Sequence, residues 1–132
     1  MADKQVRVVA AIVVKDGAVL ATERGYGEYE GWWEFPGGKI EEGESPEAAL
    51  TREIHEELNA AIEVGDCLCT AEYDYPTFHL SMQCFLCTLV DEDFELIEHH
   101  AARWLDAANL NAVKWLPADL QVLAAIRNAG VL

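Results

Sequence analysis

The sequence predicts an α/β fold, a mixed β-sheet sandwiched between helices. A β-branched run early in the chain reads as a strand, and a capped amphipathic stretch near the middle reads as a helix. The order of elements, strands then helix followed by strands then helix, gives one sheet covered on two sides. The 132 residues suit a single domain spanning 1–132, long enough to enclose one core.

Residues 6–14 (VRVVAAIVV) form the first strand, ended by Lys15, Asp16 and Gly17 as a hairpin turn, with 18–22 as the return strand. Residues 23–33 (ERGYGEYEGWW) carry no usable period and read as a loop. Ser45 fits an N-cap, Pro46 fits the first helical position, and acids of the first turn suit the positive dipole end. Ala49, Leu50, Ile54 and Leu58 recur at helical spacing, and Asn59 suits the left-handed residue that ends the helix. Two long strands follow, 61–75 and 78–90, turned by Pro76 and Thr77. Residues 94–105 read as short strands broken near His99 and His100. Asp106 caps a short helical turn, and Leu116, Pro117, Ala118 and Asp119 open a last helix ending near Gly130.

Nine basic against twenty-four acidic side chains leave a net charge of −15. That field repels polyanions, so a nucleic-acid polymer is excluded as a partner. A small anionic substrate in the same field implies bound cations at a cluster of acids. No apolar run approaches the roughly 18 residues that span a bilayer, and the opening Met1, Ala2, Asp3, Lys4, Gln5 lacks the plan of a signal peptide. The expectation is a cytoplasmic protein without membrane contact. Cys67, Cys69, Cys84 and Cys87 are its four cysteines, lying in apolar β-like runs. A strand puts Cys67 and Cys69 on one face and Cys84 and Cys87 on opposite faces. They read as buried free thiols rather than a zinc site.

The segment that carries chemistry is 37–60, GGKIEEGESPEAALTREIHEELNA. Glu53, Glu56 and Glu57 stand at i, i+3 and i+4, so three carboxylates share one helix face. Such crowding destabilises an isolated helix, and a hard divalent ion with oxygen ligands is the natural compensation. Gly37 and Gly38 let the backbone bend and bring a carbonyl oxygen to the same ion. Arg52 forks onto Glu44 and pins the loop to the helix.

These residues resemble the signature of the Nudix family, G-x5-E-x7-R-E-U-x-E-E-x-G-U, with U a bulky aliphatic residue. Gly38, Glu44, Arg52, Glu53, Ile54, Glu56 and Glu57 fall in place, while Asn59 replaces the final Gly and Ala60 the final aliphatic residue. The run Trp33 to Glu41 (WEFPGGKIE) is similar to that of the MutT-like branch, small nucleoside triphosphate pyrophosphohydrolases. The resemblance implies an α/β/α sandwich, Mg²⁺ dependence with Mn²⁺ as a substitute, and a nucleotide substrate cut to monophosphate and pyrophosphate. It implies Gly37, Glu53, Glu56, Glu57 and Glu98 as metal ligands. Glu53 is the first choice for the base or water-holding group, with Glu98 the runner-up, and attack falls on the β-phosphorus.

For the substrate, the resemblance implies contacts from Arg24, from Glu34, Phe35 and Pro36 along the nucleoside pocket, and from Asp119 at the start of the last helix. An ionised Asp119 only accepts hydrogen bonds and favours bases that present amino hydrogens, whereas a protonated one can also donate; capping the helix is its plain structural role. Tyr75 and Phe78 read as hairpin-end packing or as a stacking surface. Lys39 and Glu41 read as a structural pair, and His55, His99 and His100 as polar surface. Two rival functions remain. One is a pyrophosphatase for nucleotide sugars, dinucleotides or ADP-ribose; the other is a catalytically silent nucleotide-sensing module. The chain acts as a monomer or a homodimer.

Overall fold

The computed structural model describes residues 4–132. The reading of the opening Met1, Ala2 and Asp3 lies outside them. Strand β1 (Gln5–Lys15) is the axis of the fold. It runs parallel to β6 (Phe78–Leu89), pairing Gln5 with His79 through Val13 with Cys87. Its other edge takes β4 (Gly37–Lys39) antiparallel at Val8, Val9 and Ala10. With neighbours on both edges and helices over both faces, the middle of β1, residues 8–14, is apolar and mostly buried.

Its side chains alternate as the pleat requires. Val9, Ala11 and Val13 face the core under helix α1 (Pro46–Leu58), where they join Leu50, Ile54 and Leu58. Ala10 and Ile12 face the opposite core with Leu110, Trp115, Val122, Leu123 and Ile126. Two cores separated by one sheet give the α/β/α sandwich that the sequence predicts.

The hairpin to β2 (Ala18–Glu23) turns at Asp16 (φ 50°) and Gly17 (φ 75°), the two left-handed residues of a tight two-residue turn. Strand β2 then pairs with β3 (Trp33–Glu34) and with β7 (Ala101–Asp106). The long β5–β6 hairpin, with β5 covering Ile62–Tyr75, closes the far edge. Helix α1 is capped as its sequence dictates. Ser45 Oγ accepts from Ala48 N at 3.1 Å, and Asn59 (φ 47°) donates its N–H to the His55 carbonyl.

Two expectations are corrected, and one strand is new. Residues 94–100 form no strand. Instead Glu95 N and Ile97 N donate to the carbonyls of Leu58 and Glu57, satisfying acceptors left free at the end of α1. The last helix is two segments, α2 (Pro117–Leu120) and α3 (Val122–Ala129), meeting at Gln121, and it ends at the left-handed Gly130. Strand β4 had no signal because two glycines carry no β propensity; its pairing with β1 makes it a strand. Among the described residues, no helix is long and apolar enough to cross a membrane.

The cysteines also depart from expectation. A bulge shifts the β5–β6 register, so Cys67 pairs with Phe85 while Cys69 pairs with Cys84. Cys67 and Cys69 therefore do not share a face, and Cys67 is exposed and Cys69 half-buried rather than buried. Cys84 and Cys87 do point to opposite cores. All four are free thiols.

Ile54 is fully buried and His55 beside it is exposed. Replacing Ile54 by Ala should therefore lower unfolding free energy in urea by about 2–5 kcal/mol, against less than about 0.5 for His55→Ala. Equal effects would mean that α1 does not present the face described.

Candidate functional site

A cleft of roughly 580 Å³ opens between the end of α1, the loop after β2 and the β5–β6 hairpin. Its two ends differ in chemistry. One is lined by Arg24, Glu34, Glu53, Glu56, Glu57, Glu98 and the glycines of β4. The other is lined by Val8, Tyr29, Phe35, Tyr75, Phe78, Leu80, Met82, Leu116 and Asp119.

At the acidic end the order of construction is legible. The Arg52 guanidinium forks onto Glu44, Nε to Oε2 at 2.7 Å and Nη2 to Oε1 at 2.9 Å. Nη2 also donates to the Lys39 carbonyl at 3.0 Å, and Glu44 accepts from Glu41 N at 2.9 Å. The loop before α1 is thereby tied to the helix as expected. Glu41 stands 3.8 Å from Arg52 Nη1, which replaces the expected pairing with Lys39. Arg52 also bonds Glu53 at 2.7 Å and Glu56 at 3.3 Å.

Glycines make room for this packing. A Cβ on Gly38 would overlap the Glu53 carboxylate, and one on Gly37 would overlap the Val9 carbonyl of β1. Across the cleft, a Cβ on Gly25 would overlap the Glu98 carbonyl, so the loop after β2 fits against the 94–100 segment only through a glycine. The bonds of Glu95 and Ile97 to the end of α1 then bring Glu98 to the same end of the cleft as Glu57.

Charges here repel. Glu57 is pushed up to about 8, first by burial and then by Glu53, Glu34 and Glu98, with a Gly37 N–H bond opposing. Burial also raises Glu53, against the hydrogen bond from Arg52. Glu57 Oε2 is buried with no hydrogen-bond partner. A buried unpartnered acceptor in a negative field suits a cation, and oxygen-only donors suit a hard divalent one. Among the described residues, no three His, Cys, Asp or Glu side chains converge on one point as a ready-made cage. Arg52 draws Glu53 and Glu56 toward itself.

Arg24 and Glu34 join the two ends. Arg24 Nη1 bonds Glu34 Oε1 at 3.1 Å, while Arg24 Nε is buried without a partner. Glu34 Oε2 lies 3.2 Å from His99 Nε2. His99 is only 6% exposed and lines the cleft, which corrects its reading as polar surface. Sequence offered no signal for it, because its partner Glu34 lies sixty-five positions away.

At the apolar end, Phe35 stacks on Trp115 with centroids 4.5 Å apart, and Tyr75 stacks on Phe78 at 5.1 Å. Tyr75 and Phe78 thus pack the hairpin end and line the cleft at once. Leu80 and Met82 were not singled out, although the period of two from Phe78 along β6 marks them. Pro36 is corrected: it is buried outside the cleft, and its carbonyl accepts from Ala11 N at 2.8 Å.

Asp119 is 4% exposed, and its Oδ1 accepts from Phe35 N at 2.9 Å. It does not cap α2, whose N-cap position is Leu116 with no side-chain bond. Burial, then the Glu34 charge, hold its carboxyl well above the ordinary carboxylate range. It is the protonated alternative that this environment favours, a group able to donate as well as accept.

Residues 3–126 match the family described as NUDIX domain. The chain is 31% identical over 135 residues to the CTP pyrophosphohydrolase of Escherichia coli (strain K12), covering 92% of this chain and 91% of that protein. It is 38% identical over 91 residues to the 8-oxo-dGTP diphosphatase of Proteus vulgaris, covering 67% of this chain and 81% of that one. The crystal structure of a MutT NUDIX hydrolase from Burkholderia pseudomallei superposes with a TM-score of 0.85 at 26% identity, over 94% of this chain and 99% of that chain.

The Arg52 fork and the Glu41 N–H bond hold Glu44 down at about 2, from an ordinary 4.5. A depressed carboxylate stabilises the fold above its ordinary value, and that contribution is lost as pH falls toward the folded one. The Tm advantage of the native chain over Glu44→Gln should be constant above about pH 5 and shrink between about 4.5 and 2. An advantage independent of pH would mean that the fork carries no charge.

Proposed function

The chain belongs to the Nudix family, and from that premise we propose that it hydrolyses nucleoside triphosphates to the monophosphate and pyrophosphate. The observation that carries the reading is the division of one cleft into an acidic end and an apolar end closed by a buried Asp119. A nucleotide has the same division, since its phosphates need cations and its base needs flat apolar walls with few polar groups.

Members of the family use a divalent metal, and the acidic end fits one. Glu53, Glu56, Glu57, Glu98 and the Gly37 carbonyl are the groups that would hold it, with Mg²⁺ as the ion and Mn²⁺ as a substitute. Bound there, it would offset the carboxylate charge, supply Lewis-acid stabilisation to the phosphates and acidify water. Glu53 holds the attacking water and takes its proton, with Glu98 the other carboxylate in reach of that role. The unpartnered Arg24 Nε points to a role in binding phosphate or sugar oxygen. Glu34 keeps Arg24 and His99 in register between the ends.

At the far end the base lies among Phe35, Tyr75, Phe78 and Met82, and Asp119 reads its polar edge. The four free thiols and the −15 charge support a protein of the reducing cytoplasm, acting as a monomer or a homodimer. A pyrophosphate-release assay over nucleoside triphosphates, nucleotide sugars and ADP-ribose tests the whole reading. Binding without turnover would make the chain a sensor, and preferred cleavage of sugar nucleotides would move it to another branch. Water carrying the heavy oxygen isotope should label pyrophosphate; label in the monophosphate would mean attack on the α-phosphorus.

Glu57→Gln should lower kcat by about a hundredfold or more, since a lost charge at a metal site removes transition-state stabilisation of several kcal/mol. Its circular dichroism should stay native. Full activity of the native chain in excess chelator would remove the metal from the mechanism.

Asp119→Asn keeps an acceptor for Phe35 N and a permanent donor for the base. The native carboxyl loses its donor as it ionises, so the two proteins should diverge as pH rises. On the alkaline side, the cytosine over 8-oxo-guanine ratio of kcat/KM should be about five- to a hundredfold lower in the variant. A ratio within twofold at every pH would leave Asp119 with only its bond to Phe35.

A further inference from the structure

Cys69 and Cys84 meet across the β5–β6 hairpin in a way that neither strand shows alone. They are direct register partners on the same face of the sheet. Opposed residues of antiparallel strands have Cα atoms about 4.5 or 5.5 Å apart, and both spacings fall in the window of about 4.4–6.8 Å that a disulfide spans. The register that starts at Tyr75 and Phe78 beside the turn runs unbroken to Cys69 and Cys84, and the shift just beyond it turns Cys67 away to Phe85.

The other two cysteines are placed elsewhere. Cys67 lies opposite Phe85, and its thiol points at the Cys69 carbonyl, 3.7 Å away. Cys87 faces the core under α1, on the other side of the sheet. The pair sits two rungs beyond Ala71 and Met82, on the same face of the sheet, and Met82 lines the apolar end of the cleft.

We infer that Cys69 and Cys84 form a reversible thiol–disulfide site, oxidised by hydroperoxides. Cys69 is the half-buried member and Cys84 has no exposed surface, so the oxidant meets Cys69 first. The neighbouring Cys84 lowers the Cys69 thiol to about 7, while Cys69 and burial raise that of Cys84, whose Sγ donates to the Met82 carbonyl at 3.9 Å; Cys69 is the nucleophile. Its thiolate attacks one peroxide oxygen; an S–O bond forms as the O–O bond breaks, and water or an alcohol leaves. The Cys84 sulfur then attacks the Cys69 sulfur, the S–S bond forms, and the hydroxyl departs as water with the Cys84 proton. Two thiols lose two electrons and two protons, and the peroxide is reduced.

The test uses the whole chain treated with hydrogen peroxide, then blocked with an alkylating agent and mapped by mass spectrometry without reduction. The expected product is an intramolecular Cys69–Cys84 link, lost on treatment with dithiothreitol, that also forms in Cys67→Ser. Cys69→Ser should give no link. Because Cys69 is only half-buried, that variant keeps the test valid if Cys84→Ser fails to fold. A link through Cys67, a link between two chains, oxygen added at Cys69 without a link, or no oxidation would each overturn the inference. These readouts do not depend on hydrolysis, so they stand apart from the proposed function.

Discussion

Arg52 is the point on which the acidic end of this molecule depends. Its guanidinium holds both oxygens of Glu44, the Lys39 carbonyl, and the carboxylates of Glu53 and Glu56. A planar fork with fixed donor directions can serve several oxygens at once, which the point charge of a lysine cannot do with the same geometry. Helix α1 alone would present a row of repelling carboxylates, and the loop before it would have no fixed path. One side chain answers both problems, and it does so at the edge of the cleft rather than inside it.

The second constraint is closeness of backbone. Strand β1 is walled in by β6 and β4 on its edges and by helices over its faces, so β4 has no room for a side chain at Gly37, and the Glu53 carboxylate leaves none at Gly38. The Gly37 and Gly38 pair therefore belongs to the packing of β1 and to the seating of Glu53 at the same time. Gly25 plays the matching part across the cleft by accepting the Glu98 carbonyl against it. Three missing side chains bring together carboxylates from α1 and from the 94–100 segment.

Electrostatics then separates the two ends. Burial acts on both Glu57 and Asp119 to favour their neutral forms, but their surroundings differ. Glu57 is ringed by other carboxylates and has an unpartnered oxygen, a setting that a cation relieves. Asp119 is ringed by rings and aliphatic chains and already accepts from Phe35 N, a setting that a proton relieves. Glu34, bonded to Arg24 and next to His99, raises both and so links one end to the other.

The sequence by itself determined the helix α1 with its caps, its three-carboxylate face and the Arg52–Glu44 tie. These are local features, because residues three and four apart on a helix meet whatever surrounds them. It also determined β1 and the two hairpins, whose strands and turn residues lie side by side in the chain. Only the tertiary structure decided the rest. Strand β4 exists because β1 offers an edge, and the 94–100 segment gives up strand form because the end of α1 offers carbonyls. His99 was legible only as a surface histidine, since its partner Glu34 lies sixty-five positions away. The helix-start position of Asp119 could be read from Pro117, but its protonation could not, because it rests on the walls that Phe35 and its neighbours build around it. The separation of Cys67 from Cys69 was hidden for the same reason, because a shift of register beyond the Cys69–Cys84 pair turns Cys67 to Phe85. Contacts within a turn of helix are written in spacing, while burial and register are sums over the whole chain.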